Sequence, residues 1–208
     1  MLGRVRGKSF SAWIVLWVVR NAERREILGV PVIVPGGTRG DDLAFAKIAS
    51  AFDLLRDHGS RTLDDIRRHT NGVFVWVTAG NLGEWDRQTR LVVLEETYVC
   101  LEATSARDIA STLVHESTHA RLDAKGFAYS PELRHRIERV CFRRELAFAC
   151  RLSEPGDLIA RAEQQLQRPP DDFTREASRQ RGVAKLIELG VPRWLAKAME
   201  WVARHRTS

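Results

Sequence analysis

Cysteine is scarce in this chain. Cys100, Cys141 and Cys150 form no CxxC pair and leave one thiol over, which argues against a disulfide framework and for a reducing, cytoplasmic setting. Without ligand spacing, all three read as small core residues and not as metal ligands. A membrane-spanning run is also missing. The N-terminal stretch FSAWIVLWVV, residues 10–19, is about half of the roughly 20 residues a spanning helix needs. A basic MLGRVRGK precedes it, but RNAERRE follows where a signal peptide would place a small-residue cleavage site. A core element is expected there, with a membrane-surface contact as the lesser alternative.

Internal repeats and low-complexity tracts are absent, which excludes solenoids and wholesale disorder. Blocks of like charge are absent too. The net charge is +6, yet basic residues alternate with acids, as in RNAERRE and RHRIERVCFRRE. Zinc-finger, RRM and basic-zipper signatures do not occur, so a solvated arginine-rich surface is expected and nucleic acid is not favoured as partner. What remains is an ordinary globular balance: 208 residues, 44% hydrophobic and 29% charged. That is enough chain to bury a sizeable core without staples.

Along the chain, EILGVPVIVPGGTRGDD is strand-like and interrupted at Pro31 and Pro35. Asp41 or Asp42 can cap a helix through LAFAKIASAFDLLRDHG, ended by Gly59, and TLDDIRRHT gives a shorter one. GVFVWVTAG (72–80) and TRLVVLEETYVCLE (89–102) read as strands, an antiparallel pair joined by NLGEWDRQ. ATSARD offers a capping serine or aspartate for IASTLVHESTHARLDAKG, a helix closed by Gly126. Ser130 and Pro131 open a long helix to about residue 152. The remainder, 153–208, is expected to be helical. It ends in a basic amphipathic helix whose Trp194, Leu195, Met199 and Trp201 side docks on the domain.

The chemistry lies in TLVHESTHARLD, residues 112–123. Residues four apart lie above one another on a helix, so His115 and His119 can aim imidazole nitrogens at one ion. Glu116 is a step round the helix, placed to take a proton from a water in the ion's open position. Ile109, Leu113 and Val114 precede the motif, so the helix is expected to be buried, and its polar residues need a partner. That partner is an ion or, alternatively, a metal-free polar cluster.

Catalytic zinc usually has three protein ligands. Asp123 continues the four-residue spacing, but three side chains over about 12 Å of straight helix cannot converge on one ion. Asp123 therefore supports the site from outside or faces solvent. The next helix offers Glu138 and Glu145. An antiparallel hairpin starting at Pro131 reaches the height of the histidines at around residues 136 to 140. That selects Glu138, with Glu145, roughly 10 Å further along, as the alternative third ligand.

HESTH, then eighteen residues, then Glu138 resembles the HExxH-x18-E spacing of gluzincin metallopeptidases. The resemblance covers about residues 41–150. It implies one Zn2+ per chain on His115, His119 and Glu138, with Glu116 as general base. It also implies an edge strand before the motif helix that pairs with an extended peptide, for which 89–102 is well placed. Two departures stand out. Arg121 sits where zincins usually carry a hydrophobic residue, and IERVCFRRE replaces the asparagine-containing signatures of the large families.

The expected fold is α+β: a mainly helical zincin-like domain with a small antiparallel sheet packed against the HExxH helix. That domain spans 1–152, and 153–208 is a helical extension packed on it. The expected function is a zinc-dependent hydrolase, a peptidase acting on peptide or protein amides. A non-catalytic zincin-like module, binding a partner by its strand edge or basic C-terminal helix, is the alternative. A nucleic-acid-associated protein, with strongly salt-dependent binding, is a third class. His135, one turn before Glu138, and Tyr98 are candidates to bind substrate or stabilise the transition state, and Tyr129 could also approach. His58, His69 and His205 carry no assigned role.

Overall fold

The computed structural model describes residues 22–35, 41–78, 81–127 and 129–174, with scattered positions from 176 to 194. Strands β1 (Glu23–Ile27) and β2 (Val30–Val34) open the described chain as a hairpin. Its turn residues Leu28 and Gly29 have φ of 49° and 74°, the positive values a two-residue turn needs to match strand twist. Leu28 adopts such a φ at a cost, and Arg67 offsets it by donating from Nε (2.9 Å) and Nη2 (2.5 Å) to the Leu28 carbonyl. Pro31 does not interrupt β2 as expected, because ladder pairing to the next strand begins only at Val32.

Helices α1 (Asp41–His58) and α2 (Ser60–His69) follow, then β3 (Val73–Trp76), β4 (Gly83–Asp86) and β5 (Leu91–Glu95). The sheet is five-stranded and mixed, in the order β1-β2-β3-β5-β4. β2, β3 and β5 run parallel, and only the outer pairs β1/β2 and β4/β5 are antiparallel. This corrects both the small antiparallel sheet and the antiparallel pairing of 72–80 with 89–102. The reason is burial: β3 and β5 are apolar on both faces, the pattern of interior parallel strands. The connecting segment swings past β5 and lays β4 on its far side.

The segment 89–102 is also not one strand. At Glu95, whose carboxylate accepts from Tyr98 N at 2.5 Å, the chain turns into a short helix α3 (Glu96–Cys100). Gly72 and Gly83 allow two close approaches. A Cβ on Gly72 (φ +133°) would lie 2.3 Å from the Pro31 carbonyl oxygen. On Gly83 it would lie 2.7 Å from Thr112 Cγ2 and 3.3 Å from Glu116 Cγ, so glycine lets β4 close on the motif helix. Gly83→Ala is expected to destabilise the protein by about 1–3 kcal/mol, since Thr112 is stiff on its helix and cannot yield freely. Chemical denaturation of the two proteins measures this.

α4 (Ala106–Ala124) carries the HESTH sequence and starts with a full capping box between Ser105 and Asp108. Ile109, Ala110, Leu113 and Val114 enter the main core with Phe52 and Leu55 of α1, Ile66 of α2 and Val92 and Leu94 of β5. Gly126 (φ +84°) ends α4: its N–H reaches Asp123 O, and Phe127 N–H reaches Leu122 O. Ser130 and Pro131 start α5 (Pro131–Ala149) back along α4. α6 (Leu158–Gln167) and a 3-10 turn (Pro170–Phe173) pack on α5, and Arg161 of α6 pairs with Asp108 at the start of α4.

The N-terminal run 10–19 lies outside the described residues, as do Leu195, Met199 and Trp201. Trp194 is described and is 72% exposed, so it does not join the docked face expected of the last helix. Among the described residues no helix is long and apolar enough to cross a membrane.

Candidate metal centre

The α4/α5 hairpin brings the motif face against one face of α5. The His115 and His119 rings are 4.9 Å apart. Glu138 faces both: its Oε2 is 3.3 Å from His115 Nε2 and its Oε1 is 3.7 Å from His119 Nε2. Two ligands at about 2.0–2.1 Å from an ion, at a tetrahedral angle, stand about 3.3–3.4 Å apart. The first of these separations matches that of two ligands on one ion, and each Glu138 oxygen faces a different histidine.

Glu145 occupies the other side of His115. Its Oε1 is 2.5 Å from His115 Nδ1, and its Oε2 accepts from Ser111 Oγ at 3.0 Å. With Nδ1 donating to Glu145, His115 presents Nε2 to the space it shares with His119 and Glu138, an arrangement that fixes ring orientation in metal sites. Glu138 and Glu145 thus both reach the motif, at different ring nitrogens.

Burial shapes the protonation of the cluster. For His115, burial opposes the charge, but the hydrogen bonds to Glu138 and Glu145 outweigh it and hold the imidazole well above its ordinary range. Burial and the neighbouring His115 push His119 down to about 4. Burial opposes the Glu138 charge, yet His115, His119 and Tyr129 bring its pKa to about 2. Glu116, only 7% exposed, is raised by burial to about 7.

Cys141 was not recognised from sequence. Its Sγ and one ligand nitrogen each from His115 and His119 all lie within 4.8 Å of one another. Its position three residues after Glu138, on the same helical face, was the available signal. Glu138 lines the cleft, whereas Cys141 is fully buried and does not. Burial raises the thiol well above its ordinary range.

The cluster lies in the wall of a cleft of about 760 Å³, bounded by Asn81–Trp85, α4, α5 and Phe173. β4 is the sheet edge here. The strand expected to serve as that edge, within 89–102, is interior as β5. Tyr129 borders the cleft: its hydroxyl donates to Glu138 Oε1, and its ring meets His119 edge-on at 5.2 Å. Arg134 lies over the Tyr129 ring at 4.7 Å.

The two other candidate donors are elsewhere. Tyr98, on α3, places its hydroxyl 3.1 Å from that of Thr112, and burial first of all raises its phenol to about 12. It does not line the cleft. His135, three residues before Glu138, is rotated about 60° from it on the helix. It faces Phe173 at 5.4 Å with Nε2 buried and, among the described residues, without a hydrogen-bond partner, while Arg134 takes the cleft position. Asp123 pairs with Arg87 at 2.8 Å on the rim. His69 lies 3.9 Å from Asp65, His58 gives its carbonyl to Arg151, and His205 is outside the described residues.

Comparison with known proteins finds no matching family model, no matching curated protein and no matching solved structure. What stands is the α+β class and the cluster itself.

Proposed function

We propose that the protein is a zinc-dependent hydrolase, a gluzincin-like metallopeptidase that cleaves peptide or protein amide bonds. The observation that carries this reading is the approach of Glu138 to the Nε2 atoms of both motif histidines, with Glu145 on the reverse of His115. His115, His119 and Glu138 would hold the ion. When bound, zinc supplies Lewis acidity and makes a water acidic near neutral pH.

The other steps belong to the chain. Glu116 takes the proton of the attacking water and passes it to the leaving amine. Tyr129, which lines the cleft beside Glu138, would donate to the developing oxyanion. An extended peptide adds to the β4 edge by main-chain hydrogen bonds, which presents its carbonyls along the cleft wall. A cleft of about 760 Å³ accommodates several residues of such a chain.

The test is elemental mass spectrometry on protein purified without chelator or metal-affinity resin, followed by a peptide screen. About one zinc per chain is expected, as in sites with three protein ligands. Glu138→Ala should lose it and Cys141→Ser should keep it. Glu145→Ala should retain the site with affinity lowered about 10–100-fold, the usual effect of removing a ligand's supporting carboxylate. A protein that takes up no zinc when offered it overturns the hydrolase reading and leaves a binding module presenting the β4 edge.

A further inference from the structure

On the opposite side of the motif helix from this chemistry, four arginines line a second cavity of about 240 Å³: Arg61 of α2, Arg121 of α4, Arg144 of α5 and Arg151 just beyond it. No acidic residue lines it. Beside it, Asp65 lies 2.8 Å from Arg144 Nη2 and 3.6 Å from Arg121 Nη1. Asp65 thus pairs with two of the four guanidinium groups. Arg144 Nη1 is buried without a hydrogen-bond partner among the described residues, which is costly for a charged donor unless a ligand satisfies it. Among the described residues no ion pair reaches Arg61, and Arg151 donates to the His58 carbonyl at 3.2 Å. The wall also includes Gly59 and Thr62 at the start of α2, a helix with no side-chain cap and with partial positive charge at that end.

We infer that this cavity binds a phosphoryl group, as free phosphate or as a small phosphate monoester. Guanidinium forks match the tetrahedral oxygens in paired hydrogen bonds, and a dianion offsets more of the surplus charge than chloride can. The volume lies below the roughly 300–1,000 Å³ of pockets for larger ligands, which fits a group of this size. The site also accounts for Arg121, the departure from the zincin pattern two residues after His119: it faces this cavity, where a hydrophobic residue would leave the cluster one donor short.

The full-length protein is titrated calorimetrically with inorganic phosphate, glycerol phosphate and chloride at fixed ionic strength. Saturable binding of phosphate or glycerol phosphate, with none for chloride, is expected. Tighter phosphate binding identifies the free anion, and tighter glycerol phosphate binding identifies the phosphoryl group of a larger ligand. Arg61→Gln and Arg121→Gln should each weaken binding by about tenfold or more, the worth of one charge-assisted hydrogen bond. Arg136→Gln, an exposed arginine outside this cavity, should not. Equal responses to all three anions, equal loss in Arg136→Gln, or wild-type affinity in the Arg61/Arg121 double variant overturns the inference. Arg61 is exposed, so its variant remains informative if Arg121→Gln folds poorly.

Discussion

Glu116→Gln is expected to lower kcat on a cleaved peptide by about 10²–10⁴-fold, the range that positioned general acid–base groups contribute. KM and zinc content should stay near the wild-type values. Glutamine keeps the size and planarity of the side chain, so Gly83 and Thr112 still fit around it, but its amide cannot take a proton from water. His115, His119 and Glu138, the proposed ligands, are untouched. A loss confined to kcat marks a group that acts in the transition state and not in ground-state binding. Steady-state kinetics with metal analysis on the same preparations measures both quantities. A variant that turns over as fast as the wild type removes Glu116 from the role of base and leaves the proposed mechanism without its proton carrier.

The motif helix was legible because several local signals agree there. Ser105 and Asp108 form its capping box, Ile109, Leu113 and Val114 supply the core side, and Gly126 ends it. Once a hairpin is assumed, helical rise alone places Glu138 beside the histidines. The same reasoning left Glu145 as an alternative for the same atom, because counting turns cannot show that one imidazole has two nitrogens facing different carboxylates.

The sheet was less legible, for identifiable reasons. β1 is ERREI, almost wholly exposed, so no alternation of apolar residues announces it. It is held by its register with β2 and by Arg25, which pairs with Glu23 and Asp42 and lies 4.1 Å over Phe45. β4 is four residues, GEWD, too short for a period to show, and its place at the edge comes from pairing with β5. β3 and the first four residues of β5 are uniformly apolar, a pattern that fixes burial but not direction. Cys141 and Arg121 were hidden differently. One looked like ordinary core and the other like ordinary surface, and only the packing of α5 and α2 against α4 shows what each faces.

The same Glu116→Gln substitution is expected to stabilise the metal-free protein at pH 8 and to change little at pH 4. Burial raises the folded-state pKa of Glu116 from 4.5 to about 7, with Glu138 and Glu145 adding to the shift and His115 opposing it. A carboxyl raised in this way favours the folded state while it is protonated. Its contribution is fully present below about pH 4.5 and is lost as pH rises through about 7, because the folded chain must then ionise a buried group that the unfolded chain ionises in water. A shift from 4.5 to about 7 corresponds to roughly 3 kcal/mol. Glutamine never ionises, so the variant keeps what the wild type loses. His119, lowered to about 4, contributes with the opposite slope, its stability being lost as pH falls below 6.5 toward 4, but it is present in both proteins and cancels in their difference. Chemical denaturation of chelator-treated wild type and variant at pH 4 and pH 8 measures the effect. A gap that opens with pH and closes when zinc is restored to the wild type identifies Glu116 as a charge held for the ion at a cost to the fold. A gap of equal size at both pH values would assign the effect to packing and remove the buried carboxylate from the account.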